Sequence, residues 1–164
     1  MARGDDEDVI RVDLATQRLR LFRGSVLRLE APVSTAANGP GERMGSECTP
    51  RGWHVVRAKI GAGAPPNTVF VGRRATGEIF HPGLRERHPE RDWILTRILW
   101  LSGLEPGRNR LGEVDTMRRY IYIHGCPDDV RLGRPGSHGC VRMSNAAVVA
   151  LYDLVPAGTR VHIG

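Results

Sequence analysis

The sequence predicts a mainly β domain with one principal helix, and three observations carry that reading. Apolar and polar residues alternate at period two through the opening third of the chain. The most strongly β-branched and aromatic run, Arg119-Tyr120-Ile121-Tyr122-Ile123, lies in the second half. Residues 145–154 alone combine helically spaced apolar side chains with start and stop signals.

Taken in order, Val9 to Leu14 sets Ile10, Val12 and Leu14 on one face, and Leu19 to Phe22 repeats the pattern after a polar turn. Gly24-Ser25 then turns into Val26 to Val33, which makes an antiparallel meander. From Ser34 to Gly52 the composition shifts to Gly, Pro, Asn, Ser and Thr, a connection long enough to border a site. Trp53 to Ile60 and Thr68 to Val71 resume the strand pattern. Residues 79–92 are rich in Pro, Arg and His, and His81 and His88, at no metal-ligand spacing, read as surface histidines. The 34–52 loop and the 80–92 segment are the two candidates for a lid. Ile94 to Leu101 is strongly apolar and is assigned as a buried strand rather than a short helix. A polar connection over 108–117 leads into Arg119 to Ile123, a strand expected to deliver His124 at its C-terminal end. Ser144 caps the helix, Ala147, Val148, Leu151 and Leu154 or Val155 share a face, and Pro156 and Gly158 stop it. Thr159 to Ile163 closes the chain as a last strand.

At 164 residues the chain fits a single domain over 9–164, preceded by a short polar tail over 1–8. No window reaches the roughly 18 apolar residues of a membrane span. The tail lacks the apolar core of a secretory leader, which places the protein in the cytoplasm if Met1 is the native start, and in the periplasm or cell wall if a leader was removed. The formal charge of +6 comes from arginine, since Lys59 is the sole lysine. The arginines are dispersed, without a basic helix, an aromatic stacking motif or C-x-x-C fingers, so an acidic small substrate fits better than nucleic acid. Cys48, Cys126 and Cys140 are an odd number, so at least one thiol is free; a Cys126–Cys140 disulfide would silence a thiolate at Cys140.

Chemistry concentrates at Ile123-His124-Gly125-Cys126 and Ser137-His138-Gly139-Cys140-Val141-Arg142-Met143. A cysteine attacks carbonyls as the thiolate, so it needs a base, and the base needs a group that fixes its tautomer. His138 shares a side with Cys140 in extended backbone, while His124 arrives from the preceding strand, and spacing alone does not choose between them. Gly139 lets a carbonyl approach the backbone, and the Gly139 and Cys140 amides are candidate oxyanion donors, each worth about 10²–10³ in rate. Arg142 offers a planar fork for a substrate carboxylate, and Ser137 and Tyr122 stand beside the pair as further substrate-binding candidates. Two readings compete. The H-x-C pairs His124/Cys126 and His138/Cys140 could hold zinc, though their spacing is unlike the usual ligand pairs; all four could also be plain core residues. Neither a metal nor another cofactor is expected.

Those segments resemble the signature of the L,D-transpeptidase catalytic domain, the YkuD family. Val12-Asp13-Leu14-x-x-Gln17-x-Leu19, Pro32-Val33-Ser34-Thr35, Asn38-Gly39-Pro40-Gly41 and Thr49-Pro50-x-Gly52 are similar to other recurrent family segments in the same order. The resemblance spans about 9–163 and leaves no room for appended peptidoglycan-binding modules. It implies a β-sandwich-like fold and a cysteine acyltransferase on peptidoglycan stem tetrapeptides. Cys140 is then the nucleophile. His124 is the base, oriented by a backbone carbonyl, that of Gly125, and His138 takes a supporting place. The implied reaction cleaves the bond between the diamino acid at stem position three and D-alanine through a Cys140 thioester. An amine resolves the thioester into a 3→3 cross-link or an exchanged D-amino acid. Water makes the enzyme an L,D-carboxypeptidase for recycled fragments. Implied partners are stem peptides or muropeptides, and carbapenems as covalent inhibitors. Cys126 departs from the pattern, as a small buried residue or an oxidation liability. A noncatalytic wall-binding module or a zinc module is the remote alternative.

Overall fold

The computed structural model describes residues 6–164; residues 1–5 of the expected tail lie outside the described residues, and Asp8 already belongs to the first strand. The elements in chain order are β1 (Asp8–Asp13), β2 (Arg18–Arg23), β3 (Val26–Pro32), β4 (Gly52–Ile60), β5 (Thr68–Val71), β6 (Arg74–Ile79), α1 (Pro82–Arg87), β7 (Ile94–Gly103), β8 (Tyr122–Gly125), β9 (Val141–Met143), α2 (Asn145–Leu154) and β10 (Arg160–Ile163). The fold is mainly β, with the expected principal helix at α2.

The opening meander forms as expected, β1 against β2 and β2 against β3. Period-two alternation buries Ile10, Val12, Leu19 and Leu21 while Arg11 and Arg20 point the other way. β10 inserts beside the meander, parallel to β1 and antiparallel to β4, so the end of the chain welds the meander to the rest of the sheet. β7 is the hub. Its Ile98 pairs with Ile60 of β4 and with His124 of β8, and its Leu95 pairs with Val69 of β5 and Gly125 of β8. A strand has two edges, so β4 and β5 share one edge and β8 takes the other. β9 then adds in parallel to β8, pairing Ile123 with Val141.

Ser144 caps α2 as its position predicts, with Oγ accepting from Ala147 N at 3.1 Å. The helix buries Val148 and Leu151 in one cluster with Ile10, Leu99, Leu101, Ile123, Val141, Met143 and Val161. At about 1.5–3 kcal/mol per fully buried aliphatic side chain, this cluster holds β8 and β9 in place.

Three local readings are corrected. The strand expected from Arg119 begins at Tyr122, because Asp115 Oδ1 accepts from Arg118 N at 3.1 Å and Tyr120 turns through a φ of 56°. Local side-chain capping overrides β propensity there. The 79–92 segment, assigned no element, contains α1, started by Pro82 in its first turn. β6 escaped notice because it is a mostly exposed strand with no apolar alternation to read.

A buried histidine gives the fold a pH dependence. His54 is fully buried on β4; its Nδ1 lies 3.0 Å from Gly52 O and its Nε2 3.1 Å from Thr116 Oγ1. A carbonyl only accepts, so Nδ1 carries the hydrogen and the ring is neutral. Burial lowers its pKa from 6.5 to about 4, against the opposing Gly52 carbonyl. The unfolded state therefore binds a proton that the folded state refuses, and stability is complete above about pH 6.5 and falls toward pH 4, by up to roughly 3 kcal/mol. His124 and His162 are shifted in the same direction. Thermal melting at constant ionic strength should show a smaller loss between these pH values in His54→Gln than in the parent protein; parallel curves would contradict the assignment.

Candidate active site

β8 carries His124 into the interior, where it is almost wholly buried. Its Nδ1 sits 2.6 Å from Gly125 O. Because the carbonyl accepts, Nδ1 is the protonated nitrogen and Nε2 presents a lone pair. Nε2 is itself buried and has no hydrogen-bond partner among the described residues. Burial holds the pKa of His124 down; the Gly125 carbonyl and Asp92 oppose this, and Arg142 reinforces it. The imidazole is neutral at rest.

Cys140 stands half-buried at the end of the loop that enters β9. Tyr122 N donates to its Sγ at 3.3 Å, and the thiol donates to Tyr120 O at 3.5 Å. Burial pushes the thiol up to about 12, while the Tyr122 amide, Arg119 and Arg142 work the other way. Burial thus favours the neutral form of both the Cys140 thiol and the His124 imidazole.

The turn before Cys140 is built from Ser137, whose Oγ donates to Cys140 O at 2.6 Å and accepts from Gly139 N at 3.2 Å. Gly139 has a φ of 131°, and a Cβ there would stand 3.1 Å from Ile121 Cδ1 and 3.2 Å from Cys48 O. Ser137, expected as a substrate-binding residue, is buried with its hydroxyl engaged inside the turn. The Gly139 amide is engaged by Ser137 Oγ, and the Cys140 amide donates to no described residue.

The 34–52 loop borders the site as expected, laced to it rather than lying over it. Thr49 Oγ1 donates to Gly139 O at 2.9 Å, Ser137 N to Thr35 O at 2.9 Å and Ala37 N to Ser137 O at 2.9 Å. Arg119 reaches across to Cys48 O at 2.6 Å. Behind Gly125 lies a buried polar network. Thr96 Oγ1 donates to Asn145 Oδ1 at 2.6 Å and accepts from Asn67 N at 3.0 Å, and Asn145 Nδ2 donates to Asn67 Oδ1 at 2.9 Å. Thr96 holds a φ of 76°, costly for a β-branched residue, and the network over-determines it. A Cβ on Gly125 would clash with Asn145 Oδ1 and sit 2.7 Å from Leu95 O.

Cys140 opens into a cavity of about 510 Å³ whose walls include Arg73, Asp92, Arg119, Tyr122 and His138. Tyr122 OH accepts from Arg73 Nη1 at 3.0 Å. A second cavity of about 360 Å³ shares Asp92 and His138 with the first and carries Arg142 and Cys126. The structure therefore brings Cys140, Tyr122 and an exposed His138 to one cavity, with His124 buried beside it on β8. Arg142 lies one cavity away: its Nη2 donates to Ser34 Oγ at 2.8 Å and its side chain lines the neighbouring cavity. Arg73, Asp92 and Arg119 were missed, because they lie 20 to 70 positions from Cys140 and no spacing rule joins them. Cys126 donates to Met143 O at 3.2 Å, and burial pushes its thiol up to about 11. All three cysteines are free thiols, and no three of the described His, Cys, Asp or Glu side chains group to hold a metal ion. No helix among the described residues is long and apolar enough to cross a membrane.

Comparison with known proteins gives the following. The family profile of the YkuD L,D-transpeptidase catalytic domain matches residues 7–163. A 46-residue stretch is 41% identical to YkuD of Bacillus subtilis (strain 168), covering 28% of each chain. Two solved structures share the fold. The L,D-transpeptidase from Xylanimonas cellulosilytica DSM 15894 is 22% identical with a TM-score of 0.56, over 99% of this chain and 62% of that one. L,D-transpeptidase 3 from Mycobacterium tuberculosis in complex with a faropenem-derived adduct is 16% identical with a TM-score of 0.58, over 95% of this chain and 59% of that one. Each match thus spans less than two thirds of the other protein.

Two outcomes follow from the geometry. Alkylation of Cys140 by iodoacetamide, read by peptide mass spectrometry, should accelerate about tenfold per pH unit from 7 to 10, as a thiol above that range requires; a plateau below pH 8 would contradict it. Gly125→Ala should destabilise the fold by about 2 kcal/mol or more in urea, since neither the Leu95 carbonyl nor Asn145 can retreat without breaking the network. A loss under about 0.5 kcal/mol would show that the site yields.

Proposed function

The chain belongs to the YkuD family of L,D-transpeptidase catalytic domains, and from that premise we propose that it is a cysteine acyltransferase acting on peptidoglycan stem peptides. The observation that carries this reading is His124, with one ring nitrogen tied to Gly125 O and the other buried and unpartnered. An imidazole held so is a base waiting for a proton.

In this reading Cys140 Sγ attacks the carbonyl of the third stem residue while its proton passes to His124 Nε2. The Cys140 amide stabilises the oxyanion. The bond to D-alanine breaks, the His124 imidazolium returns its proton to the departing amine, and a thioester remains. An acceptor amine then attacks the thioester carbonyl and loses a proton to His124, which regenerates the Cys140 thiol and yields a 3→3 cross-link or an exchanged D-amino acid. Water in the same place yields a tripeptide. Arg73 suits a carboxylate of the stem, while Arg119 is held by Gly41 O, Ser46 Oγ and Cys48 O and adds positive charge to the wall, and Asp92 suits an ammonium, whether on the diamino acid or on the acceptor. That carboxylate in an otherwise basic cavity favours the amine as acceptor. The cross-linking outcome needs polymerised wall, which would put the protein outside the membrane, whereas exchange of a D-amino acid needs only a stem peptide.

The Mycobacterium tuberculosis relative carries a faropenem-derived adduct; here penems and carbapenems should acylate Cys140. Intact-mass measurement should show a single β-lactam adduct on the parent protein and none on Cys140→Ala. Persistence of the adduct in that variant would contradict the assignment. His124→Gln should slow acylation by about 10²-fold or more. With a disaccharide tetrapeptide and an added D-amino acid, the expected product is the exchanged tetrapeptide. Tripeptide alone would assign water as acceptor, and no turnover would overturn the proposed reaction.

A further inference from the structure

The sheet face turned away from the core carries more arginine than the proposed reaction uses. Val55, Arg57 and Ser102 project there, because their neighbours Val56 and Leu101 are buried on the opposite face. The 104–118 segment passes in front of this face. Between the two lies a cavity of about 300 Å³ with Val55, Arg57, Ser102, Arg110, Asp115 and Arg118 in its walls. Its one carboxylate is consumed locally: Asp115 Oδ2 accepts from Leu111 N at 2.8 Å and Oδ1 from Arg118 N at 3.1 Å. Arg57, Arg110 and Arg118 are exposed and form no ion pair with any described residue. Ser102 Oγ is buried without a partner among the described residues. The cavity is therefore cationic, with a hydroxyl to spare.

It is also continuous with the Cys140 site through one side chain. The Arg57 guanidinium lies 5.5 Å from the centre of the Trp100 ring, an attraction that fixes the cation without using its N–H donors. The same ring holds Arg73 at 4.4 Å and meets the Tyr122 ring edge-on at 6.3 Å, and both of those residues line the Cys140 cavity. From Val55 on β4 to Tyr122 on β8 is two strand intervals, about 10 Å.

We propose that this cavity is a second binding site, which takes the carboxylates of a stem peptide neighbouring the one engaged at Cys140 on polymeric peptidoglycan. The proposal rests on the acyltransferase reading. Three planar guanidinium forks and a hydroxyl match carboxylates, and the short path past Trp100 matches a polymer that presents several stems at once. The site would make the protein prefer polymerised wall over single muropeptides through added affinity, with no change at the reacting atoms.

The test is co-sedimentation of the Cys140→Ala protein with insoluble peptidoglycan at fixed salt, with and without the triple substitution Arg57→Gln, Arg110→Gln and Arg118→Gln. The expected result is about a tenfold or greater loss of binding and a shallower salt dependence in the triple variant. With Cys140 intact, the triple variant should keep the parent's β-lactam acylation rate and its turnover of a soluble disaccharide tetrapeptide. Unchanged sedimentation would overturn the proposal. So would equal retention on glycan stripped of stem peptides by an amidase, or competition by duplex DNA as strong per charge as by glycan strands. Parallel loss on the soluble substrate would assign the three arginines to the Cys140 site or the fold, and overturn it too. Failure of the acyltransferase reading registers separately, as absent acylation and turnover in the parent, because sedimentation needs no reaction.

Discussion

The hydrogen bond from His124 Nδ1 to Gly125 O, at 2.6 Å, is the constraint on which the site depends. It joins a ring to the carbonyl of the next residue, so it holds only if the backbone at Gly125 is fixed from behind. The Leu95 carbonyl, Thr96 and Asn145 supply that fixation, packed so closely that Gly125 admits no Cβ. The left-handed Thr96 and the irregular register between Leu95 and Ile98 belong to the same arrangement. β7 bends where β5 gives way to β4, and the bend brings a hydroxyl to Asn145 at the start of α2. Helix, central strand and site strand are thereby locked around one carbonyl.

A second theme is how the chain keeps its thiol quiet. Burial pushes Cys140 up and His124 down, so both groups favour their neutral forms in the resting site. The arginines near Cys140 temper this without reversing it. A resting thiol is less prone to oxidation than a resting thiolate, and the imidazole lone pair is ready when the carbonyl binds. In the proposed reaction, reactivity is thus tied to occupancy of the cavity.

Much of this was legible in the sequence, for reasons that lie in local physics. The meander and β7 declare themselves by alternation and apolarity, and α2 by Ser144 at its cap and by Pro156 and Gly158 beyond it. His124 and Cys140 stand out because glycines flank both. What local reading missed depends on contacts distant in sequence. That Arg142 places Nη2 on Ser34 follows from an isolated bridge between the 34–52 loop and β9, 108 positions apart. Ser137 and Gly139 were read as facing a substrate, yet each turns its polar group to the other. Arg119, read as strand, sits in a turn because Asp115 caps the preceding segment, and from there it ties the 34–52 loop to the site. Pairing partners on β7 are equally nonlocal, since no period in the sequence says which strand takes which edge.

The central claim concerns one ring: His124 is a neutral imidazole protonated at Nδ1, with Nε2 free to accept. Nitrogen-15 NMR of the histidine rings in the resting protein measures this directly, with His124→Gln identifying the signal. The account predicts a neutral Nδ1–H tautomer that persists from pH 8 down to pH 6, below the pH at which an exposed histidine takes up its proton. An imidazolium at neutral pH, or a neutral ring carrying its proton on Nε2, would contradict it.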